Sequence, residues 1–458
     1  MSPFQAFTRA DASRALTLGG RELSFEALRE AIEARKHRLG VLPPGIAILR
    51  AHRSREFIAT FLALYETAIP VAVFATEWTA PEVESRREAL GCCFELDESF
   101  QVTWRSRHAG MRHHPDTALV LFTSGSTGTP RAVQLSRENL EANVAAVRRS
   151  LDFDSAPEQT LFLPLSYSFG LLGQLLPALS AGVPTLLLSS LVELKARLDD
   201  GLLAGMLSGV PSHHETLLRL MGDGAPRTQA VTHVVSAGAA VDLALRQRLL
   251  RAFPQARVYV NYGQTELSPR VLSLCSAHPA FLSQATGYPV GNLSVKLGPE
   301  GELWVRGDQV MLGYLGDEEA TRAKVADGWL RTGDLARLAP DGLVTLLGRN
   351  DDQLKVGGER LSPLEIETTL RGLPHVEDAA VWGREDALYG TALTAFLQLA
   401  PGAPCPSRRE LRQTLSAHLS PHKIPTDYYR VEQLPRTSNG KLQRHRLDVL
   451  LQPERRIG

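Results

Sequence analysis

The chain has 458 residues and carries 50 Lys plus Arg against 50 Asp plus Glu, so its formal net charge at pH 7 is zero. That length exceeds a usual single domain and supplies large cores, while the balanced charge argues against nucleic acid or a membrane surface as the main partner. The opening MSPFQAFTRADASRAL has no basic head and apolar core of a secretory leader, and the longest apolar stretch, LLGQLLPALSAGVPTLLL, is broken by Gly, Pro and Gln, so a soluble cytoplasmic protein is expected.

Strand-like and helix-like segments alternate from the start. IAILR reads as a strand, REFIATFLALYETA as a helix and IPVAVF as a strand, whereas residues 75 to 110 are expected to provide few elements. TALVLFTS and RAVQLS follow as strands, and Ser136 caps a helix through NLEANVAAVRRS. The alternation continues through TLFLPL, an apolar helix around LLGQLLPALSAG, PTLLL, THVVSAG and LALRQRLLRAF, which predicts an α/β body of doubly wound layers. From about Val290 short strands joined by PEG and PDG turns form a β-rich appendage to that body. After GRN at 348–350 the pattern restarts as a small α+β domain of about a hundred residues, an ordinary domain size. The expected division is 1–349 for the large domain, 350–353 for a hinge and 354–458 for the small mobile domain.

Between TALVLFTS and RAVQLS lies a loop suited to anions. Gly125 and Gly128 permit tight turns and close approach, while Thr123, Ser124, Ser126 and Thr127 add hydroxyl donors to the backbone N–H groups and Arg131 adds a permanent charge. The loop lacks the G-x-x-x-x-G-K-[ST] pattern of nucleoside triphosphatases. Read alone, it is equally a surface loop. Cys92, Cys93, Cys275 and Cys405 lack zinc spacing and disulfide density, and are expected to be buried thiols. The doublets His113/His114 and His213/His214 point adjacent side chains apart on a helix, so no histidine is assigned to a metal.

Five further motifs change the weight of that loop: NYGQTE at 261–266, GELWVRG at 301–307, GWLRTGDL at 328–335, GRNDDQLKVGGERLSPLEIE at 348–367 and PRTSNGKLQR at 435–444. Their order and spacing resemble the adenylate-forming superfamily of acyl- and aryl-CoA ligases, peptide-synthetase adenylation domains and luciferases, over nearly the whole chain. The resemblance implies an enzyme that uses ATP, Mg2+ and coenzyme A. A carboxylate attacks the α-phosphate of ATP, pyrophosphate leaves, and a thiol opens the acyl-adenylate to release AMP. In that scheme the 123–131 loop holds the outer phosphates, with Arg131 where the family usually has lysine and Ala132 where it has glycine. Gly238, Ala239 and Ala240 lie along adenine, as does Tyr262 with Asn261 and Gly263 beside it. Thr265 offers its hydroxyl to the α-phosphate, Glu266 its carboxylate to magnesium, and Asp334 and Arg349 bind the ribose. Lys441 bridges carboxylate and α-phosphate as the adenylation catalyst. Asp351 is the hinge that then brings Gly357, Gly358 and Arg360 to the thiol.

The same resemblance places Tyr167, Ser168, Phe169, His213 and Gly238 around the acid. Amino-acid-activating relatives usually carry an aspartate just after the aromatic gate, where this chain has Ser168 and Phe169. An unpaired ammonium there would be costly, so an α-amino acid is disfavoured. The aromatic lining favours an aryl acid such as a benzoate or anthranilate, with a fatty acid as the alternative. No carrier module is attached in the sequence, so the thiol is expected on free coenzyme A or on a stand-alone acyl carrier protein. A relative that binds nucleotide without catalysis is a remote alternative, motivated by Arg131 and Ala132.

Overall fold

A computed structural model of the chain describes residues 13–106, 113–123, 131–221, 228–350, 354–356, 359–361, 363–386, 390–419, 421–436 and 442–458. Two sheets form the large body. In the seven-stranded one, Ile46–Arg50 pairs in parallel with Val71–Phe74 and Cys93–Leu96, and Val71–Phe74 pairs in parallel with Thr117–Thr123. These strands are continuous apolar runs because helices cover both faces of a parallel sheet. The helix Arg55–Glu66 fits that role, since every residue from Phe57 to Tyr65 is buried.

The nine-stranded sheet carries a parallel core of Gln159–Leu161, Thr185–Leu187, Gly205–Gly209, Val231–Ser236 and Arg257–Gly263, with antiparallel Arg270–Cys275 beside the last. One side chain stitches the two sheets together: Arg53, just after Ile46–Arg50, donates to the carbonyls of Phe162, Leu188 (2.9 Å) and Ser189 (3.1 Å). The expected cap is present, with Ser136 Oγ accepting from Asn139 N at 3.0 Å and Asn139 Oδ1 from Ser136 N at 2.8 Å, which starts the helix Arg137–Ser150. The expected apolar helix runs from Ser168 to Ala181 but widens into a π-turn over Leu171–Leu175. Pro177 contributes by having no N–H for the carbonyl four residues back.

Residues 75–110 hold more than the sequence suggested. The helix Ala80–Leu90 and the strands Cys93–Leu96 and Val102–Arg105 lie there, the helix having escaped notice because only Val83 and Leu90 are buried on it. The β-rich appendage is an antiparallel sheet containing Ser294–Leu297, Glu302–Arg306, Trp329–Leu338 and Val344–Arg349. Beyond it, the helices Pro363–Arg371 and Arg408–Ser416 pack on a three-stranded sheet, Val376–Asp386, Gly390–Leu399 and Asp427–Val431. This C-terminal unit has its own core, around Ile366, Leu370, Val381, Leu397, Leu415 and Tyr428. Among the described residues, two ion pairs tie it to the large body, Arg219–Glu377 at 3.0 Å and Arg371–Asp242 at 3.9 Å. The expected hinge residue Asp351 lies outside the described residues. The buried-thiol expectation holds for Cys92 and Cys93 but not for Cys405, which is exposed in the irregular segment 403–407, and Cys275 is intermediate.

Candidate active site

The strand Arg257–Gly263 ends where NYGQTE turns away from the sheet. Gly263 sits so close to the returning chain that a Cβ would lie 1.9 Å from the Pro269 carbonyl oxygen, so no other residue fits. Thr265 and Glu266 then occupy a short helical turn, pinned by Met311 N donating to the Glu266 carbonyl at 3.0 Å and by Ser268 Oγ donating to the Gln309 carbonyl at 2.8 Å. The pinned turn presents Glu266 to Tyr314, whose hydroxyl donates to Oε1 at 2.9 Å. Arg131, at the start of its strand, holds its guanidinium 5.1 Å from the same ring. Arg131 and Glu266, remote in sequence, thus share one phenol, which burial and the Glu266 charge keep protonated. Thr123 pairs with Arg131 across the hairpin, fixing the strand positions on either side of the loop expected to bind anions. Ser124, Gly125, Ser126, Thr127 and Gly128 lie outside the described residues.

A second cluster surrounds Asp334. The antiparallel register sets Asp334 opposite Arg349, with Oδ1 and Nη1 3.7 Å apart. Tyr262 donates its hydroxyl to Asp334 Oδ2, and Gln264 Nε2 reaches the same oxygen at 2.6 Å. Burial pushes the Asp334 carboxyl up, and Arg349, Tyr262 and Gln264 oppose that shift by favouring the anion. Gly333, at φ 77°, leaves room for the guanidinium, since a Cβ would stand 3.0 Å from Arg349 Nη2. Tyr262 therefore spends its hydroxyl on the Asp334 carboxylate, the residue expected at the ribose.

Three donors meet on one oxygen beside these clusters. The Thr332 carbonyl accepts from Gln264 Nε2 at 2.9 Å, Lys324 Nζ at 3.1 Å and Arg349 Nη1 at 3.4 Å. Burial lowers the Lys324 pKa, while Glu266, Asp334 and Glu302 pull it back up. Lys324, Tyr314 and Gln264 join the site without having been candidates from the sequence. Only GYLGDEEATRAK hinted at the first two, and nothing in that string separates a site lysine from a solvated one.

Ser168 Oγ lies 3.2 Å from Thr265 Oγ1, which joins the expected acid pocket to the expected α-phosphate site. Tyr167 and Phe169 flank Ser168 and are each half-buried. Gly238, Ala239 and Ala240 follow the strand Val231–Ser236 and are exposed, an open edge suited to a flat base. A Cβ on Gly238 would lie 3.2 Å from Val210. Burial lowers the pKa of His213, whose ring packs 5.1 Å from Phe162. His214 does not line the pocket: it is 1% exposed, bonded through Nε2 to the Val235 carbonyl at 3.2 Å, with burial pushing its pKa down to about 4. The helical spacing that separates adjacent side chains sends one histidine outward and the other into the core.

The residues fit the groups the resemblance implies. Asn261, 6% exposed, has neither amide atom bonded to a described residue, and such a buried amide is suited to an outside hydrogen-bonding partner. Among the described residues no three His, Cys, Asp or Glu side chains converge, so magnesium held by Glu266 would take further oxygens from phosphate. Gly358 and Lys441 lie outside the described residues, and of Arg360 only the strand backbone is described. A cavity of about 650 Å³ beside Arg50, His52, Glu56 and Asp97 shares no residue with these clusters. Its Glu95 is already paired with Arg50 and Arg87.

The family model of AMP-binding enzymes matches residues 94–315, and that of the AMP-binding enzyme C-terminal domain matches 365–441. A feruloyl-CoA synthase from Amycolatopsis sp is 31% identical over 348 residues, 71% of this chain and 68% of that protein. The chain belongs to the AMP-binding, adenylate-forming family. A 2-succinylbenzoate–CoA ligase from Listeria innocua is 26% identical over 454 residues, 94% of this chain and 95% of that protein. Among solved structures, o-succinylbenzoate CoA synthetase from Bacillus subtilis in complex with its acyl-adenylate intermediate has a TM-score of 0.81 at 23% identity, with 97% of both chains covered. ATP-bound MatB from Rhodopseudomonas palustris has a TM-score of 0.84 at 22% identity, covering 97% of this chain and 98% of that one. The shared architecture is that of the adenylate-forming fold, a large body followed by a C-terminal unit.

Proposed function

We propose that this adenylate-forming enzyme is an ATP-dependent carboxylic acid–coenzyme A ligase that releases pyrophosphate and AMP. The observation that carries the reading is the convergence of Glu266, Tyr314 and Arg131 beside Asp334, Arg349 and Gln264. One cluster suits a metal-bound phosphate chain, the other a sugar with two hydroxyls. Magnesium, when bound at Glu266, would neutralise phosphate charge and make pyrophosphate a better leaving group.

In this reading the Thr265 hydroxyl holds an α-phosphate oxygen, and Arg131 with the 123–131 loop binds the outer phosphates. Asp334 accepts from the ribose hydroxyls and Arg349 stays beside the same sugar. The exposed Gly238–Ala240 edge and the Tyr262 ring bracket adenine. Lys441 brings a point charge to the place where carboxylate and phosphate meet. The small domain then turns about Asp351, and Gly358 and Arg360 take part in thiol transfer. The division 1–349, 350–353 and 354–458 belongs to this proposal, as does a cytoplasmic setting. Among the described residues, no helix is long and apolar enough to cross a membrane.

An aryl acid is favoured by Tyr167, Phe169 and His213, and the relatives named for 2-succinylbenzoate and ferulate support it. Free coenzyme A is favoured over a stand-alone carrier protein because those relatives are named as CoA enzymes. The test is acid-dependent pyrophosphate release across benzoates, aminobenzoates, cinnamates and fatty acids, followed by mass detection of the CoA ester. AMP with pyrophosphate is expected. ADP, or no nucleotide product with any acid, overturns the reading.

A further inference from the structure

Two arginines are buried deep in the large body, and they differ in one respect. Arg246 is fully engaged: its guanidinium donates to the carbonyls of Val241 (3.1 Å), Phe281 (2.8 Å), Ser283 (3.0 Å) and Ala285 (2.9 Å). That is how this fold treats an arginine kept for structure. Arg270 is 2% exposed, yet its Nε and Nη2 have no acceptor and its guanidinium has no carboxylate partner among the described residues. Burial pushes its pKa down to about 10, with no neighbouring charge among the described residues acting on it. An uncompensated buried cation is costly unless something pairs with it.

Its position says what that partner is. Ser168 touches Thr265 at 3.2 Å, and the next residue, Phe169, presents its ring 5.4 Å from the Arg270 guanidinium. The turn of helix at 168–169 and the segment 265–270 therefore meet at two points. Thr265 marks the end where the acid would react, and Arg270 the other end. Gly173 keeps the second end open, since a Cβ there would stand 2.9 Å from the Phe169 ring and 3.5 Å from Arg270 Nη2. A planar guanidinium with two idle N–H groups matches the two oxygens of a carboxylate, which supplies charge as well as acceptors.

We propose that the acid accepted by this enzyme carries a second carboxylate at its far end, and that Arg270 receives it. The inference rests on the acid–CoA ligase reading and deepens it by naming the substrate class. Arg270 is a specificity-determining residue, with the Phe169 ring and the gap at Gly173 shaping its access.

The experiment compares matched acids that differ only in the second carboxylate, hexanoate with adipate and a benzoate with its carboxylated analogue, by pyrophosphate release from the full-length protein. Diacids are expected to exceed their partners in kcat/KM by about a hundredfold. Arg270→Met should abolish that preference through the diacid value while raising or preserving the melting temperature, because it removes an unpaired buried charge. Arg270→Lys should retain part of it. Release from monoacids at equal or better efficiency in the native enzyme overturns this inference and leaves the ligase reading standing. So does a neutral hydroxy-acid preferred over every diacid. Release from no acid at all overturns both. The comparison in the native enzyme needs no variant, so it decides even where Arg270→Met fails to fold.

Discussion

Lys324 gives its ammonium to the Thr332 carbonyl while lying within electrostatic reach of Glu266 and Asp334. A phosphate arriving between those carboxylates would meet a cation already held in place, so the charge is expected to serve nucleotide binding. Lys324→Met keeps the length and removes the charge: the KM for ATP should rise about tenfold, with kcat less affected, in initial-rate measurements. An unchanged KM would return Lys324 to a structural role. His214 makes a pH prediction. Its folded pKa, near 4, is depressed below the ordinary 6.5, so the unfolded chain binds the extra proton first. Its contribution is present above about pH 6.5 and is lost as pH falls toward 4, on the order of 3 kcal/mol. His214→Gln retains a donor for the Val235 carbonyl but no titration, and thermal melts from pH 7 to 4.5 should show a shallower loss of stability than the native chain. Equal slopes would sink the assignment.

At the scale of elements, the hairpin Thr117–Thr123 to Arg131–Ser136 fixes where the anion loop begins and ends, and places Arg131 on Tyr314. Arg131→Lys keeps charge near the loop and should leave the KM for ATP within about threefold, whereas Arg131→Ala should raise it by about tenfold or more. Equal and negligible effects would show that Arg131 does not touch phosphate. These strands were legible because their apolar runs are buried on both faces, and Ser136 was legible as a cap because its hydroxyl and Asn139 close a box within one turn. Contiguous motifs made Glu266, Asp334 and Arg349 readable as candidates. Tyr314, Gln264 and Lys324 were not, since their roles arise from a turn, a neighbouring strand and a short helix brought together only by folding. Arg270 was hidden for a different reason: it stands in an ordinary strand pattern, and only three dimensions reveal that nothing described pairs with it.

At the scale of the molecule, the large body and the C-terminal unit keep separate cores and are joined by ion pairs at Arg219–Glu377 and Arg371–Asp242. Partly exposed pairs of this kind are worth on the order of 1 kcal/mol each, a modest hold on one orientation. That suits our proposal that the C-terminal unit delivers Lys441 for one half-reaction and withdraws it for the next. Lys441→Ala should stop adenylate formation, followed as pyrophosphate release, yet still convert supplied acyl-adenylate and coenzyme A to thioester. Equal loss of both half-reactions in a folded variant would refute the division of labour. The first sixty residues hold none of the motifs, but through Arg53 they grip the backbone at Phe162, whose ring lies against His213. The wall of the proposed acid pocket thus rests in part on a segment that carries none of the proposed chemistry. Exchange of that segment between relatives would transplant substrate preference along with scaffold, and chimeras joined downstream of Arg53 would carry the taste of the donor.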